Sequence, residues 1–329
     1  MNNQIELQGP PFCLQIELTE GCNLRCEFCG LNGIRGQAND YKFMTVATAE
    51  RITMLLRDNG WRPRIEFAMH GEPSMNPNMM TILKKFRIQL PRRMHLMMTS
   101  NGAGFVKDPT TSINLALESL NVLALDWYDG VKLVPKILDM YKGPHIPVMY
   151  PQDKRGNPHR RRQFDEHNLV IVQDIVSATG GTHSVLNNHA GCGAPKNDSA
   201  MGKRCAKPFR EMSIRWDGGV AICCNDWRGE YKCGNVLNQT LDEIWQNRAM
   251  RAARRKLYHG MRDFGPCAGC DALSYRPGLL PDQRGRGSLP TPNENDLQAI
   301  EEAIAGHTLT LPVLRPWEVS GPSGSERHP

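Results

Sequence analysis

Three cysteines within eight residues, Cys22-Asn23-Leu24-Arg25-Cys26-Glu27-Phe28-Cys29, constrain this chain more than any other stretch in it. A loop this tight can aim three sulfurs at one soft metal centre, yet it cannot pair all three as disulfides. Cysteine thiolates hold iron–sulfur clusters, usually four to a cubane, so three ligands leave one iron open for something that is not protein. Zinc would want a fourth local Cys or His, and the next histidine is His70. A structural zinc loop is the competing reading of the same residues. The chain has eleven cysteines, and its N-terminus lacks a basic region followed by an apolar stretch. Reduced thiols in a chain without a secretory signal favour metal ligation over disulfides and point to the cytoplasm. No apolar run approaches the ~18 residues of a membrane span. The net charge of +6 permits an anionic partner without demanding one.

From residue 12 to about 190 the pattern alternates. Strand-like runs cover Phe12–Thr19, Arg64–His70, Met94–Ser100, Leu120–Asp126 and His145–Tyr150, and helical periodicity falls at Thr45–Asp58, Pro77–Leu90 and Val131–Tyr141. Thr45 suits a helix cap and Pro77 a first helical turn. Strands alternating with helices predict βαβ units, a parallel sheet and an α/β fold. Ligands of such sheets bind outside the carboxyl ends of the strands. The cysteine loop, Gly71-Glu72-Pro73 and Ser100-Asn101-Gly102 follow three successive strands, so all three loops are expected on that one face. Between Gln152 and Phe164 lie Lys154, Arg155, His159, Arg160, Arg161 and Arg162, a basic loop or insertion. After residue 195 the pattern changes to a hairpin over Met212–Cys224, turning at Asp217-Gly218-Gly219, then a helix near Leu241–Leu257. Pro, Gly and polar residues dominate from Arg276, with one short amphipathic helix near Glu294–Ala305, so this tail is expected to wrap the protein or stay partly disordered. The division expected is 1–195, 196–275 and 276–329.

Cys22-x3-Cys26-x2-Cys29 after a first strand, Phe28 before the third cysteine, and Gly71-Glu72-Pro73 after the second strand resemble the radical S-adenosylmethionine superfamily. The resemblance covers roughly residues 10–190. It implies a partial (β/α)6 TIM-like barrel in which Cys22, Cys26 and Cys29 hold a [4Fe–4S] cluster. The open iron would take the amino and carboxylate groups of S-adenosylmethionine, with Gly71, Glu72 and Pro73 lining that cosubstrate. Phe28, Ser100, Asn101 and Asp126 fall where the family places further cosubstrate contacts. A second set, Cys205-x17-Cys223-x43-Cys267-x2-Cys270, with Trp216-Asp217-Gly218-Gly219 and Gly234-Asn235-Val236 nearby, resembles the SPASM/Twitch extension of these enzymes. No cysteine follows Cys270, so the set departs from the two-cluster SPASM pattern and fits the one-cluster Twitch form. Cys224 rivals Cys223 as a ligand, and a zinc ribbon is the alternative for Cys267-x2-Cys270.

The family's chemistry is reductive cleavage of S-adenosylmethionine to a 5′-deoxyadenosyl radical, which removes a substrate hydrogen. An auxiliary cluster would accept the electron left on the substrate, making the net reaction an oxidation. A thiol near the radical, Cys192, Cys224 or Cys233, would instead return a hydrogen atom and give epimerisation or isomerisation. Cys13 alternates along a strand and reads as core. The methionines at 94, 97 and 98 read as core filling, and Arg248, Arg251 and Arg255 as a solvated helical face. The expected substrate is a small polar metabolite, such as an aminocyclitol or sugar derivative. Peptide-modifying relatives often carry an extra N-terminal module, and 21 residues precede Cys22. A nucleotide, nucleic-acid base or peptide is the alternative, the nucleic acid being suggested by Lys154–Arg162. The family implies flavodoxin or ferredoxin as electron donor. A zinc-stabilised basic binding module is the non-enzymatic alternative. No Ser/His/Asp triad or glycosidase carboxylate pair is apparent.

Overall fold

The computed structural model describes residues 9–34, 40–128, 130–149, 168–173, 187–193, 202–272 and 294–305. The basic stretch Lys154–Arg162 and most of the tail beyond residue 276 lie outside these. In chain order the first elements are β1 (Cys13–Ile16), β2 (Thr19–Glu20), β3 (Lys42–Phe43), α1 (Val46–Asp58), β4 (Arg64–Phe67) and α2 (Met79–Gln89). There follow β5 (Leu96–Ser100), α3 (Pro109–Leu117), β6 (Val122–Asp126), α4 (Leu133–Met140), β7 (Ile146–Met149) and β8 (Asn168–Gln173). Thr45 caps α1 as its hydroxyl accepts from Thr48 N at 3.1 Å. The buried residues Ala49, Ile52, Leu55 and Leu56 then recur at helical spacing toward the sheet. Pro77 lies before α2 rather than in its first turn. Asn76 occupies the approach: its side chain accepts from Asn78 N at 2.8 Å and donates to Leu18 O and Met44 O at 2.8 and 3.0 Å.

The remaining elements are α5 (Lys207–Arg210), β9 (Glu211–Ile214), β10 (Gly219–Ala221), β11 (Lys232–Asn235), α6 (Leu241–Trp245), α7 (Arg248–Tyr258), α8 (Gly265–Gly269) and α9 (Glu294–Ala305). The helix expected near Leu241–Leu257 is broken in two at Gln246-Asn247. Asn247 caps α7 by accepting from Met250 N at 2.8 Å, and the buried Arg254 satisfies Trp245 O at 2.6 Å. Both groups meet obligations that a helix end leaves open.

One sheet runs β7-β8-β6-β5-β4-β1-β9-β10-β11. Every pairing from β7 to β9 is parallel, while β10 and β11 add antiparallel strands. Six parallel strands thus form the expected parallel sheet, and β9 lengthens it from the other edge. The fifth and sixth strands exchange the places that a sequential winding would give them. Pro147 explains this, since proline cannot donate to a central ladder and belongs on an edge. β8 reads Asn-Leu-Val-Ile-Val-Gln, which suits a strand paired on both sides.

Alternation along the strands separates two faces. Leu14, Ile16, Phe67, Leu123, Leu125 and Ile214 are buried in the main core under the helices. Gln15, Glu66, Met97 and Val172, on the opposite face, are only half-buried. Cys13, on that same inner face, is buried as expected, and Met94 and Met98 join the core. α9 forms where the sequence places it, but it docks. Its Ala299, Ile300 and Ala303 are buried, Arg255 grips Asp296 at 2.7 and 2.6 Å, and Arg248 pairs with Glu302 at 3.4 Å. Arg255 therefore faces another helix and not solvent, whereas Arg248 pairs with α9 but stays exposed as expected. Among the described residues no helix is long and apolar enough to cross a membrane.

Candidate active site and cluster-binding loops

The three loops expected on one face meet there. Gly21 and Gly71 form a parallel bridge, and Glu72 N donates to Gly21 O at 2.9 Å, so the cysteine loop and the Gly-Glu-Pro loop are joined backbone to backbone. Glu72 is buried and its carboxylate turns inward, accepting from Ser74 N at 2.9 Å, Ser100 Oγ at 2.6 Å and Asn101 N at 2.7 Å. Burial raises its pKa against these donors. Its side chain thereby ties the second loop to the third. Asn101 continues the chain of contacts, donating to Cys22 Sγ at 3.4 Å and to Asn23 Oδ1 at 3.0 Å. Leu24 N donates to the same sulfur at 3.3 Å.

Asp126, at the end of β6, is half-buried and accepts from Tyr128 Oη at 3.1 Å. Burial pushes its carboxyl up to about 7, with the nearby Glu72 adding to the shift and Tyr128 opposing it. Tyr128 lies 5.6 Å, ring to ring, from Phe28. Sequence reasoning missed Tyr128, although its position two residues after Asp126 was available as a signal. The structure thus brings Cys22, Phe28, Glu72, Ser100 and Asn101 together, with Asp126 and Tyr128 alongside.

A second missed group lies beneath. His70, immediately before Gly71, is fully buried, with Nδ1 2.7 Å from Glu17 Oε1 and Nε2 2.8 Å from Cys224 O. Both partners are hydrogen-bond acceptors. Burial alone would raise the Glu17 carboxyl, but His70, Arg215 and the backbone donor Trp216 N hold it below its usual range. Arg215 also pairs with Glu20 and donates to Trp227 O at 3.1 Å. The Gly-Glu-Pro loop is therefore connected through His70 to the segment that carries Cys223 and Cys224.

The two adjacent cysteines part company. Burial pushes Cys223 well up, and Cys224, Cys267 and Cys270 add to the shift, while Cys267 responds in the same way to Cys205 and Cys270. Cys205 in turn feels Cys270. Cys205, Cys223, Cys267 and Cys270 are thus near enough to interact electrostatically, as Cys224 also does with Cys223. Cys224 turns instead toward Lys207, whose Nζ is 3.2 Å from its sulfur, and toward Glu211 at 4.0 Å. Gln15 Nε2 reaches the same Glu211 carboxylate at 3.3 Å. Of the other candidate thiols, Cys233 is buried in the core, and Cys192 packs with Leu31 and Trp227 beside Cys22 and Cys29.

Residues 16–130 match the radical SAM superfamily, and residues 205–271 match the SPASM iron–sulfur cluster-binding domain. GTP 3′,8-cyclase of Pasteurella multocida (strain Pm70) is 26% identical over 140 residues, which cover 40% of this chain and 40% of the cyclase. The chain thus spans well under half the length of such curated relatives. BtrN in complex with AdoMet and 2-DOIA superposes with a TM-score of 0.58 at 19% identity, over 80% of this chain and 94% of that one. BtrN in an open conformation gives 0.55 at 17%, over 80% and 93%. These likenesses establish a shared fold.

The residues present fit the groups that these domains use. The cysteines are all free thiols, and the three in the first loop are only half-buried. Burial pushes the Cys22 thiol up to about 12, although Leu24 N favours the thiolate. Iron would supply the positive charge that such sulfurs need to ionise. Among the described residues no three Cys, His, Asp or Glu side chains stand close enough to chelate a single ion. Ligands of a cluster stand further apart, because each thiolate binds a different iron.

Proposed function

Because this chain belongs to the radical SAM superfamily and carries a SPASM-type iron–sulfur domain, we propose that it oxidises a small polar metabolite by hydrogen abstraction. When bound, S-adenosylmethionine and its [4Fe–4S] cluster supply the abstracting radical, and the auxiliary cluster supplies an electron acceptor. Cys22, Cys26 and Cys29 would hold the first cluster and Cys205, Cys223, Cys267 and Cys270 the second. The oxidation reading rests on Cys224 facing Lys207 at 3.2 Å, which leaves Cys205, Cys223, Cys267 and Cys270 as the four-thiol set. Four protein ligands close the auxiliary site to substrate and leave it the role of electron acceptor.

The chain's own residues prepare the site. Glu72 fixes the loop that would receive the cosubstrate amine, and Asn101 and Leu24 N support the first sulfur. The inner face of the sheet supports the substrate class. Gln15, Glu66, Glu211 and Lys207 present a polar wall on β1, β4, β9 and α5, while Met97, Ala124, Val170 and Val172 present an apolar wall on β5, β6 and β8. A cyclitol or sugar, with a polar rim and apolar faces, matches such a two-sided lining. A low-potential donor such as flavodoxin or ferredoxin would supply the first electron.

A second reading rests on Cys224. Its thiol lies beside Lys207 on this polar wall, and its return of a hydrogen atom to a substrate radical would make the reaction an epimerisation. The deciding experiment loads the protein with iron and sulfide anaerobically and supplies S-adenosylmethionine, dithionite and deuterated aminocyclitols or sugars. About eight irons, falling to about four when Cys22, Cys26 and Cys29 become Ala, are expected. Deuterium should enter 5′-deoxyadenosine, and the product should carry a carbonyl. An inverted centre bearing solvent hydrogen selects the second reading, and zinc without iron refutes both.

A further inference from the structure

Trp227 stands at the seam between the two thiol-bearing regions. It lies four residues beyond Cys223, in a turn closed by Asp226 N donating to Cys223 O at 3.1 Å. The Asp226 carboxylate accepts from Glu230 N and Tyr231 N at 2.8 and 2.9 Å, so the turn is rigidly hydrogen-bonded. On the other side the indole packs in one buried cluster with Leu31 and Cys192, against which Cys22 and Cys29 also lie. Gly30, the residue after Cys29, makes this approach possible. A Cβ there would come within 2.6 Å of Trp227 Cε2 and 2.7 Å of His189 Cβ.

Two histidine rings pack against the indole. His70 lies 4.6 Å away and His189 5.0 Å away, centroid to centroid. His189 and Ala190 have φ of 52° and 54°, a left-handed backbone that costs residues with a Cβ about 1–2 kcal/mol each. Asn188 anchors them, donating through Nδ2 to Gly269 O at 2.8 Å and through N to Asp271 Oδ1 at 2.7 Å. Strain persists only where surrounding contacts over-determine it. Here those contacts flank Cys270 and aim His189 at the indole. Trp227 Nε1 is itself buried with no hydrogen-bond partner among the described residues, an arrangement that costs about 1–3 kcal/mol. The ring is kept for where it lies and not for a hydrogen bond it makes.

We propose that Trp227 is the electronic contact between the two cluster sites. The inference rests on the reading that both thiol sets hold clusters. One electron leaves the reduced auxiliary cluster and arrives at the oxidised cluster on Cys22, Cys26 and Cys29. No bond breaks, no proton moves, and Trp227 ends as it began. The route is the Cys223–Asp226 backbone hydrogen bond, the indole, and its contact with Gly30 and Cys29. It serves oxidation and epimerisation alike, since both need electrons to move between the sites.

The test uses anaerobically loaded holoenzyme, reduced with dithionite, freed of excess reductant and mixed with S-adenosylmethionine in the absence of substrate. Freeze-quenched EPR follows the auxiliary cluster's signal, which decays in the wild type as its electron is drawn to the first site. Trp227→Leu should slow that decay about tenfold, and Trp227→Phe, which keeps a ring, should slow it less. Gly30→Ala displaces the indole from the opposite side and should slow decay as the leucine does. About four irons in the wild type would refute the two-cluster reading. About eight irons with undiminished decay in Trp227→Leu would refute the relay. Should the leucine variant fail to hold iron, Gly30→Ala decides in the same way.

Discussion

Gly71→Ala is the substitution whose consequence follows most directly from the geometry. A Cβ at Gly71 would lie 2.5 Å from Gly21 O and 2.7 Å from Gly21 N, and closer still to Thr19 O. All three are backbone atoms in the joint between the cysteine loop and the Gly-Glu-Pro loop, so no side chain can swing aside. Overpacking costs about 1–3 kcal/mol, and a rigid backbone places this case at the upper end. Separating the loops would also break the hydrogen bond from Glu72 N to Gly21 O, adding about 1 kcal/mol. The expected loss is about 3–4 kcal/mol in urea unfolding of the cluster-free protein, followed by tryptophan fluorescence. Any survivor should hold the cosubstrate loop displaced by about 1 Å, enough for a roughly hundredfold loss of S-adenosylmethionine cleavage. Gly60→Ala is the control. Nothing lies within 4 Å of its Cβ, but its φ of +65° makes a Cβ cost about 1 kcal/mol. Equal stability of the two variants, with cleavage intact in Gly71→Ala, would refute the steric argument.

The remaining predictions concern charge and sulfur. Cys223→Ser should lower the iron count from about eight to about four, while Cys224→Ser should leave it unchanged; the reverse result would exchange the two cysteines. Asn101→Leu removes a donor from Cys22 Sγ and should shift the first cluster's potential more negative, read by EPR-monitored titration. Asp126 binds its proton more tightly folded, near 7, than unfolded, near ~3.9. Its contribution to stability is therefore complete below pH ~4, is lost as pH rises to about 7, and is flat above. Asp126→Asn should remove that slope from denaturation midpoints of the cluster-free protein. Asp296→Ala strips the paired acceptor from Arg255 and should free α9, seen as faster amide exchange across Glu294–Ala305.

Much of this arrangement was legible in the sequence because it depends on local spacing. Cys22, Cys26 and Cys29 lie within one loop, Thr45 precedes a periodic apolar run, and Asp217-Gly218-Gly219 announces a turn. These features require no knowledge of what packs elsewhere. The strand exchange at β7 and β8 was less accessible, although Pro147 carried the hint. His70 and Trp227 were hidden for a different reason. Their meaning arises from Glu17, Cys224 and Gly30, which are distant in sequence and adjacent only after folding. Cys223 and Cys224 illustrate the limit, since alternation says that adjacent side chains diverge but not which one faces the other thiols. Arg255 was misread as solvated because its partner acid, Asp296, arrives 41 residues later, while Arg248 is exposed as expected.

The pairing of β1 with β9 has a bearing on how the protein is made. Cys13 lies opposite Glu211, so one edge of β1 waits for a partner encoded 198 residues downstream. At ribosomal rates of about 5–20 residues per second that interval is roughly 10–40 s. During it, one side of the nascent sheet carries unpaired backbone donors and acceptors, the condition under which strands from different chains associate. The first cysteine loop emerges early in this window and the last auxiliary thiols only after it. Cellular yield should accordingly depend on translation speed and on chaperones that shield the β1 edge, and iron delivery should encounter the two sites in sequence.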